Sequence, residues 1–351
     1  MKRNIEYLKK LVETASPSGD EIEAGRVFSE ECLLGEGVNF EGVDRNGNVA
    51  VSKGSGDFQI MISGHLDNIS LTVQTITEHG FLHVVPNGGV DRKVLQGQLV
   101  DVVTQDKGIV TGIIGKSPIH VEDREQRETV NKWESFLVDV GASSKEEVQE
   151  LGIDIGDNIV YHSGSSILEF GPQKNKIMSK DLDDKIGIYI ITEVIKRVNV
   201  PSGIKLWALG MTSEEVGLVG AKIASKQINP DLSIDIDVTP ATESELGISK
   251  DKYGDVEINK GPVLSFGYCK SRRIGRALRD ICVKNEIPHQ FEVSTAGGTN
   301  TAAIQEHSLN CETFLISLPN QNMHTSVEVC GWVDVEACID LLIKYIESYK
   351  V

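Results

Sequence analysis

In IEYLKKLVETA, near the start of the chain, Ile5, Leu8, Leu11 and Val12 recur at helical spacing with charged residues between them. That period predicts an amphipathic helix. A second helix is expected after SPSGDE, reaching about Leu34. The period then changes. VDRNGNVAVSKG reads as a hairpin turning at Asn46-Gly47. FQIMISGHLD is a short, unbroken apolar run, the pattern of a strand covered on both faces.

From about residue 70 to 163 the runs become shorter. LTVQTI, FLHVV, QLVDVVT and GIVTGIIG are strand-like and broken by Gly, Asn and charged residues. One helical patch, SSKEEVQELG, interrupts them, and IDIGDNIVYHSG reads as a closing strand pair. A small β-rich module is expected there. After KIMSKDLDDKIG the strands and helices alternate. Ile186, Ile190, Ile191, Val194, Ile195 and Val198 mark one apolar helix face. GIKLWALGM, LSIDIDV and CETFLISL read as strands, and GLVGAKIASKQI, RIGRALRDICVKNE and VDVEACIDLLIKYIES as helices. This alternation predicts an α/β fold with a helix-covered central sheet. The simplest layout builds that domain from residues 1–69 and 164–351, with 70–163 inserted.

A chain of 351 residues exceeds the usual single-domain size, in line with this division. The net charge of −17 argues against nucleic acid or an anionic membrane as partner. No run approaches the roughly 18 apolar residues of a membrane span. The N-terminal segment has no apolar core of a secretory signal. Cys32, Cys269, Cys282, Cys311, Cys330 and Cys338 show no C-x-x-C spacing and read as reduced thiols, so a cytoplasmic location is expected.

The chemistry collects where apolar runs end. His65 and Asp67 close FQIMISGHLD, Glu214 and Glu215 follow GIKLWALGM, Asp237 ends LSIDIDV, His324 follows CETFLISL, and Asp183 opens a helix. In open α/β sheets ligands bind beyond the carboxyl ends of strands, where loops from several strands converge. Each residue alone has a plainer reading. A single His after a strand is commonly structural, and Asp183 and Asp184 stand where a helix cap and first-turn acid would. Asp235 and Asp237 alternate with isoleucines as in any half-buried strand. The adjacent pair Glu214-Glu215 is harder to explain away, because carboxylates entering a core need a raised pKa or a cation. His, Asp and Glu without Cys suit zinc, cobalt or manganese at a hydrolytic centre. Two ions about 3.5–4 Å apart could share a carboxylate and a bridging water. An adjacent glutamate would then act as general base.

In order, GHLDN around His65, KDLDDKIG (180–187), TSEEVGLVGA (212–221), IDIDVTPA (234–241) and NMHTSVEV (322–329) resemble the tetrahedral, TET-type aminopeptidases. That family includes glutamyl and deblocking aminopeptidases, and the resemblance spans nearly the whole chain. It implies that the insert at 70–163 is a small β-barrel serving oligomer contacts and substrate access. It also implies two divalent metal ions per subunit, zinc or cobalt with manganese as a third option. His65 and Asp237 would hold one ion, Glu215 and His324 the other, and Asp183 would bridge them. Glu214 would be the general base, with Asp67 orienting His65. The implied assembly is a tetrahedral homododecamer built from dimers, releasing N-terminal residues from short peptides. Three motifs depart from the family pattern. HMDEIG reads HLDNIS with Asn68, GGTDA reads GGTNT with Asn300, and MHSPVE reads MHTSVE.

Three other readings compete. An N-acyl amino acid deacylase would use the same ions on a different amide. An endoglucanase-type glycosidase would need two carboxyl groups facing one bond, about 5–5.5 or 6.5–9.5 Å apart. Sequence-adjacent glutamates in extended chain point apart instead, and aromatic residues are only 5% of the chain. A scaffold that had merely kept the fold would have lost some of the five ligands or the base.

Overall fold

The computed structural model describes residues 3–123, 127, 129–164, 167–243, 247–294 and 298–351. Gly297 of the GGTNT motif lies outside the described residues. Two helices open the chain, α1 (Ile5–Glu13) and α2 (Ile22–Cys32), followed by β1 (Val38–Val43), β2 (Val49–Gly54) and β3 (Phe58–His65). The first two strands form the expected hairpin. Asp44 Oδ1 accepts the backbone N–H of Asn46 (2.8 Å) and of Asn48 (3.1 Å), which pins the turn.

Six strands then close a barrel: β4 (Ser70–Ile76), β5 (Phe81–Asn87), β6 (Leu99–Thr104), β7 (Gly108–Ile114), β8 (Leu137–Asp139) and β9 (Asn158–Tyr161). A short helix, α3 (Lys145–Glu150), precedes the last strand. Around the barrel the order is β4-β5-β8-β7-β6-β9. The expected closing strand pair is one strand. β9 alone closes the barrel by pairing with both β4 and β6. Leu82, Val102, Val138 and Ile114 fill the interior without exposure.

The remaining elements return to the main body. They begin with β10 (Leu168–Phe170), β11 (Lys176–Ser179), α4 (Leu182–Arg197), β12 (Ile204–Met211), α5 (Val219–Ile228) and β13 (Leu232–Pro240). Next come α6 (Lys250–Tyr253), β14 (Val263–Gly267), α7 (Arg272–Asn285), β15 (Gln290–Ser294) and α8 (Asn300–His307). β16 (Glu312–Asn320), β17 (Glu328–Gly331) and α9 (Trp332–Ser348) complete the fold. The central sheet has eight strands in the order β1-β2-β12-β3-β13-β16-β14-β15. Its four middle strands, β12, β3, β13 and β16, run parallel, so their carboxyl ends share one edge. α4 lies against β3 and β13 and is buried from Leu182 to Ile195. Its apolar residues therefore surround it and do not form a single stripe.

The start of α4 departs from a simple capped helix. Asp181 caps it in a left-handed conformation (φ 57°), and Asp183 and Asp184 have non-helical angles joined by a cis peptide bond. Asp184 does act as a cap: its Oδ1 accepts the N–H of Gly187 (3.0 Å). The same carboxylate's Oδ2 accepts the N–H of His65 (3.1 Å) and ties the helix to the exit of β3. A Cβ at Gly187 would lie 2.3 Å from Asp184 Oδ1, so the close approach requires glycine there. Asp183 is not a cap.

Candidate metal centre

His65 is the last residue of β3 and Asp237 lies near the end of β13. Glu214 and Glu215 follow β12, and His324 follows β16. Convergence of these exits with the start of α4 brings all six proposed ligands and base together. Asp183 stands in the middle. Its Oδ1 lies 3.0 Å from His65 Nε2, and its Oδ2 lies 3.3 Å from His324 Nε2. Glu215 Oε1 is 3.2 Å from the same His324 nitrogen. Two donor triads result, His65–Asp183–Asp237 and Asp183–Glu215–His324, each with ligand atoms within 4.8 Å of one another and sharing Asp183. A third close group joins His65 to Glu214 and Glu215.

Both imidazoles are oriented by carbonyls. His65 Nδ1 is 2.9 Å from the Asp67 carbonyl oxygen, and His324 Nδ1 is 2.9 Å from that of Gly89. A carbonyl only accepts, so each Nδ1 carries the proton and each Nε2 is the nitrogen free to ligate. The Asp67 carboxylate lies farther from His65, with Oδ1 at 3.5 Å. Its main work is elsewhere. Oδ1 accepts the N–H of Glu214 (2.9 Å), and Oδ2 accepts the N–H of Glu215 (3.2 Å) and the Ser18 hydroxyl (2.6 Å). One acid thus fixes the backbone that carries both glutamates. Ser213 just before them is left-handed (φ 53°), and its N–H donates to Glu21 Oε1 (2.9 Å).

Electrostatics favour a cation here. Burial pushes Glu214 up to about 10, with Asp237 and Glu215 adding to the shift against the pull of His65. Burial and then Asp183 raise Asp237 well above the carboxylate range. Burial alone would lower His324, but hydrogen bonds to the Asp183 and Glu215 carboxylates outweigh it and push the imidazole up to about 11. His65 is likewise raised by Asp183 and Asp67 against the opposing effect of burial. Asp183, flanked by both rings, is held well below the usual range despite its burial. Without a cation, protons must compensate for charge crowded into low dielectric. Two imidazole nitrogens with surrounding carboxylates and no thiolate are a donor set that zinc, cobalt or manganese fits.

Several residues that shape the centre carry no sequence expectation. Glu328, fully buried, accepts the N–H of His324 with Oε1 (2.7 Å) and that of Asp183 with Oε2 (2.9 Å). It stood in the quoted NMHTSVEV motif, the one signal that could have pointed to it. Glu21 gave no signal beyond its place before a helix. Gly89 shows that the barrel connection reaches the centre, and a Cβ there would lie 2.9 Å from His324 Nδ1. Of the two asparagines, Asn68 bonds to neighbouring chain and Asn300 leaves its oxygen without a partner. Asn68 Oδ1 accepts from Ser16 Oγ (2.9 Å) and its Nδ2 donates to the Ile69 carbonyl (3.1 Å). Asn300 is buried, and its Oδ1 has no hydrogen-bond partner.

Comparison with known proteins follows this geometry. Residues 47–341 match the model of the M42 glutamyl aminopeptidase family. The chain belongs to that family. It is 33% identical to a lysyl aminopeptidase of Pyrococcus furiosus, over 98% of this chain and 97% of that relative. Among solved structures, an aminopeptidase from the archaeon Desulfurococcus kamchatkensis superposes with a TM-score of 0.89 at 31% identity, covering 99% of this chain and 95% of that one. The TET1 peptidase of Pyrococcus horikoshii, described as assembling into a tetrahedron or a large octahedral shell, gives a TM-score of 0.84 at 30% identity over 98% and 99% of the two chains. The M42 fold, a helix-covered sheet with a closed barrel, is therefore the fold of this chain, and among the described residues no helix is long and apolar enough to cross a membrane.

Proposed function

We propose that this aminopeptidase-family chain releases N-terminal residues from short peptides at a centre holding two divalent ions, zinc or cobalt, with manganese also fitting the donors. The sharing of Asp183 by two donor triads carries this reading. His65 and Asp237 hold one ion, Glu215 and His324 the other, and Asp183 lies between them. Ions in such a set polarise the scissile carbonyl and ease deprotonation of water.

The chain's own part is to position and to move a proton. Glu214 is buried beside His65 and Glu215. As the water oxygen bonds to the carbonyl carbon, a Glu214 Oε takes its proton and returns it to the nitrogen of the breaking C–N bond. Asp67 keeps Glu214 in place through its backbone N–H, and Glu328 does the same for Asp183 and His324. The six free thiols agree with a reducing, cytoplasmic setting. By analogy with the assembling Pyrococcus horikoshii relative, the working form is a tetrahedral homododecamer built from dimers, which light scattering would check.

The deciding assay uses protein stripped of metal and then reloaded with zinc or cobalt, on paired free-amine and N-acylated aminoacyl amides. Metal-dependent cleavage restricted to the free-amine series is expected. Cleavage restricted to the acylated series would replace the peptidase reading with a deacylase.

A further inference from the structure

Resting on the aminopeptidase reading, we propose that Glu292 is the specificity residue of this centre and selects peptides whose N-terminal residue carries a cationic side chain, lysine or arginine. The inference begins with strand periodicity. Thr239 stands two residues beyond Asp237 on β13, so both side chains lie on one face of the sheet. Ser317 is the register partner of Asp237 on the neighbouring parallel strand, and Ser265 is the register partner of Glu292 on β15. These hydroxyls gather around one carboxylate. Thr239 Oγ1 donates to Glu292 Oε2 (2.7 Å), Ser265 donates to Oε1, and Ser317 Oγ lies 3.5 Å from that oxygen.

The hydroxyls aim the carboxylate without neutralising it. No lysine or arginine among the described residues forms an ion pair with Glu292. Half-buried Lys270 is attracted to Glu292 without forming an ion pair with it. The result is an acidic group hydrogen-bonded to Thr239, two residues beyond the proposed ligand Asp237 on the same face of the sheet, and partly open to solvent. Two residues along a strand advance about 7 Å. A lysyl side chain carries its ammonium about 6 Å from its α-carbon on a flexible four-carbon stem. A substrate whose scissile carbonyl sits at the metal centre can therefore bring that ammonium to Glu292. A glutamyl side chain would instead bring like charge there and be rejected.

The experiment compares lysyl-, leucyl- and glutamyl-p-nitroanilide with the zinc-reloaded wild type, E292Q, E292D and E292K. Calorimetric binding of lysinamide and leucinamide is measured alongside. The wild type is expected to rank lysyl above leucyl above glutamyl. The lysyl-to-leucyl ratio in kcat/KM should fall at least about tenfold in E292Q, since a partly desolvated charge partner is lost. It should be largely kept in E292D, which preserves the charge, and turn toward glutamyl in E292K. A ratio unmoved by E292Q and E292K overturns the assignment. If no wild-type substrate turns over, the aminopeptidase reading is what fails. Calorimetry then decides Glu292 by itself: a lysinamide preference lost in E292Q upholds the cation site, and equal affinities overturn it.

Discussion

Within the barrel, Asp101 is the one buried acid among the described residues, and it is satisfied locally by the Thr111 hydroxyl (2.9 Å) and His162 Nδ1 (2.8 Å). At the exit edge of the central sheet, Asp67, Asp183, Asp184, Glu214, Asp235, Asp237 and Glu328 are all buried together. The barrel buries apolar surface and, Asp101 apart, leaves its described acids at or near the surface, which is the ordinary route to stability. The sheet edge concentrates seven buried acids beside two imidazoles, His65 and His324, whose hold on a proton those acids strengthen. Burial of that kind destabilises a fold unless a ligand compensates it. The barrel and the sheet edge thus differ in what they bury, and perturbing each should have different consequences.

The largest separation is expected from Glu214→Gln. Turnover should drop at least about 100-fold, while metal content measured by atomic emission stays at the wild-type value. Near-normal turnover would remove Glu214 from the base role. Glu328→Gln should act through the ligands it holds, weakening zinc affinity roughly 10- to 100-fold, as read by chelator competition. Gly89→Ala tests whether the barrel connection belongs to the chemistry. Its Cβ must displace the His324 ring, and a loss of about tenfold in kcat/KM is expected from misplacement alone. Leu82→Ala is the converse probe. It should cost about 2–5 kcal/mol in denaturant unfolding yet leave kcat of the folded protein where it was. A large kcat effect would mean the barrel core and the metal centre are coupled.

The smallest effect concerns pH. In metal-free protein, burial lifts Asp235 and Asp334 from 3.8 to about 7 and Glu214 from 4.5 to about 10. A folded pKa above the unfolded one gives stability that is present at low pH and lost as pH rises through the folded value. The two raised histidines act in the same direction at higher pH. Stripped protein should therefore resist urea better at pH 5 than at pH 8, and reloading with zinc should shrink the difference. A stripped protein more stable at pH 8 would contradict this account of the buried acids.

Much of the division was legible in the pattern of the chain. Apolar runs ending in His65, Asp237 and the Glu214-Glu215 pair marked strand exits, because a parallel sheet forces every such run to end on the same edge. What stayed hidden depends on contacts that sequence spacing does not encode. Asp67 holds the N–H groups of Glu214 and Glu215 and Glu328 that of Asp183, all more than a hundred residues away in the chain, and nothing about an isolated acid reveals such a partner. Asp183 looked like a cap because its neighbour Asp184 is one. β14, β15 and α8 gave no clear period: β15 is short and lies on an edge, with Phe291 and Val293 both exposed. The barrel was readable as β-rich, but its order was not, since β8 inserts between β5 and β7.

The positions of the ligands have a consequence for how the chain folds. Residues 65, 183, 215, 237 and 324 lie far apart in sequence and belong to five separate segments. A cation gripping them would close several long loops at once, much as a set of disulfides would, and loop closure over such lengths is entropically costly for a free chain. The same ions that serve hydrolysis would then act as staples of topology. Refolding yield from denaturant, with and without added zinc, reads that contribution directly.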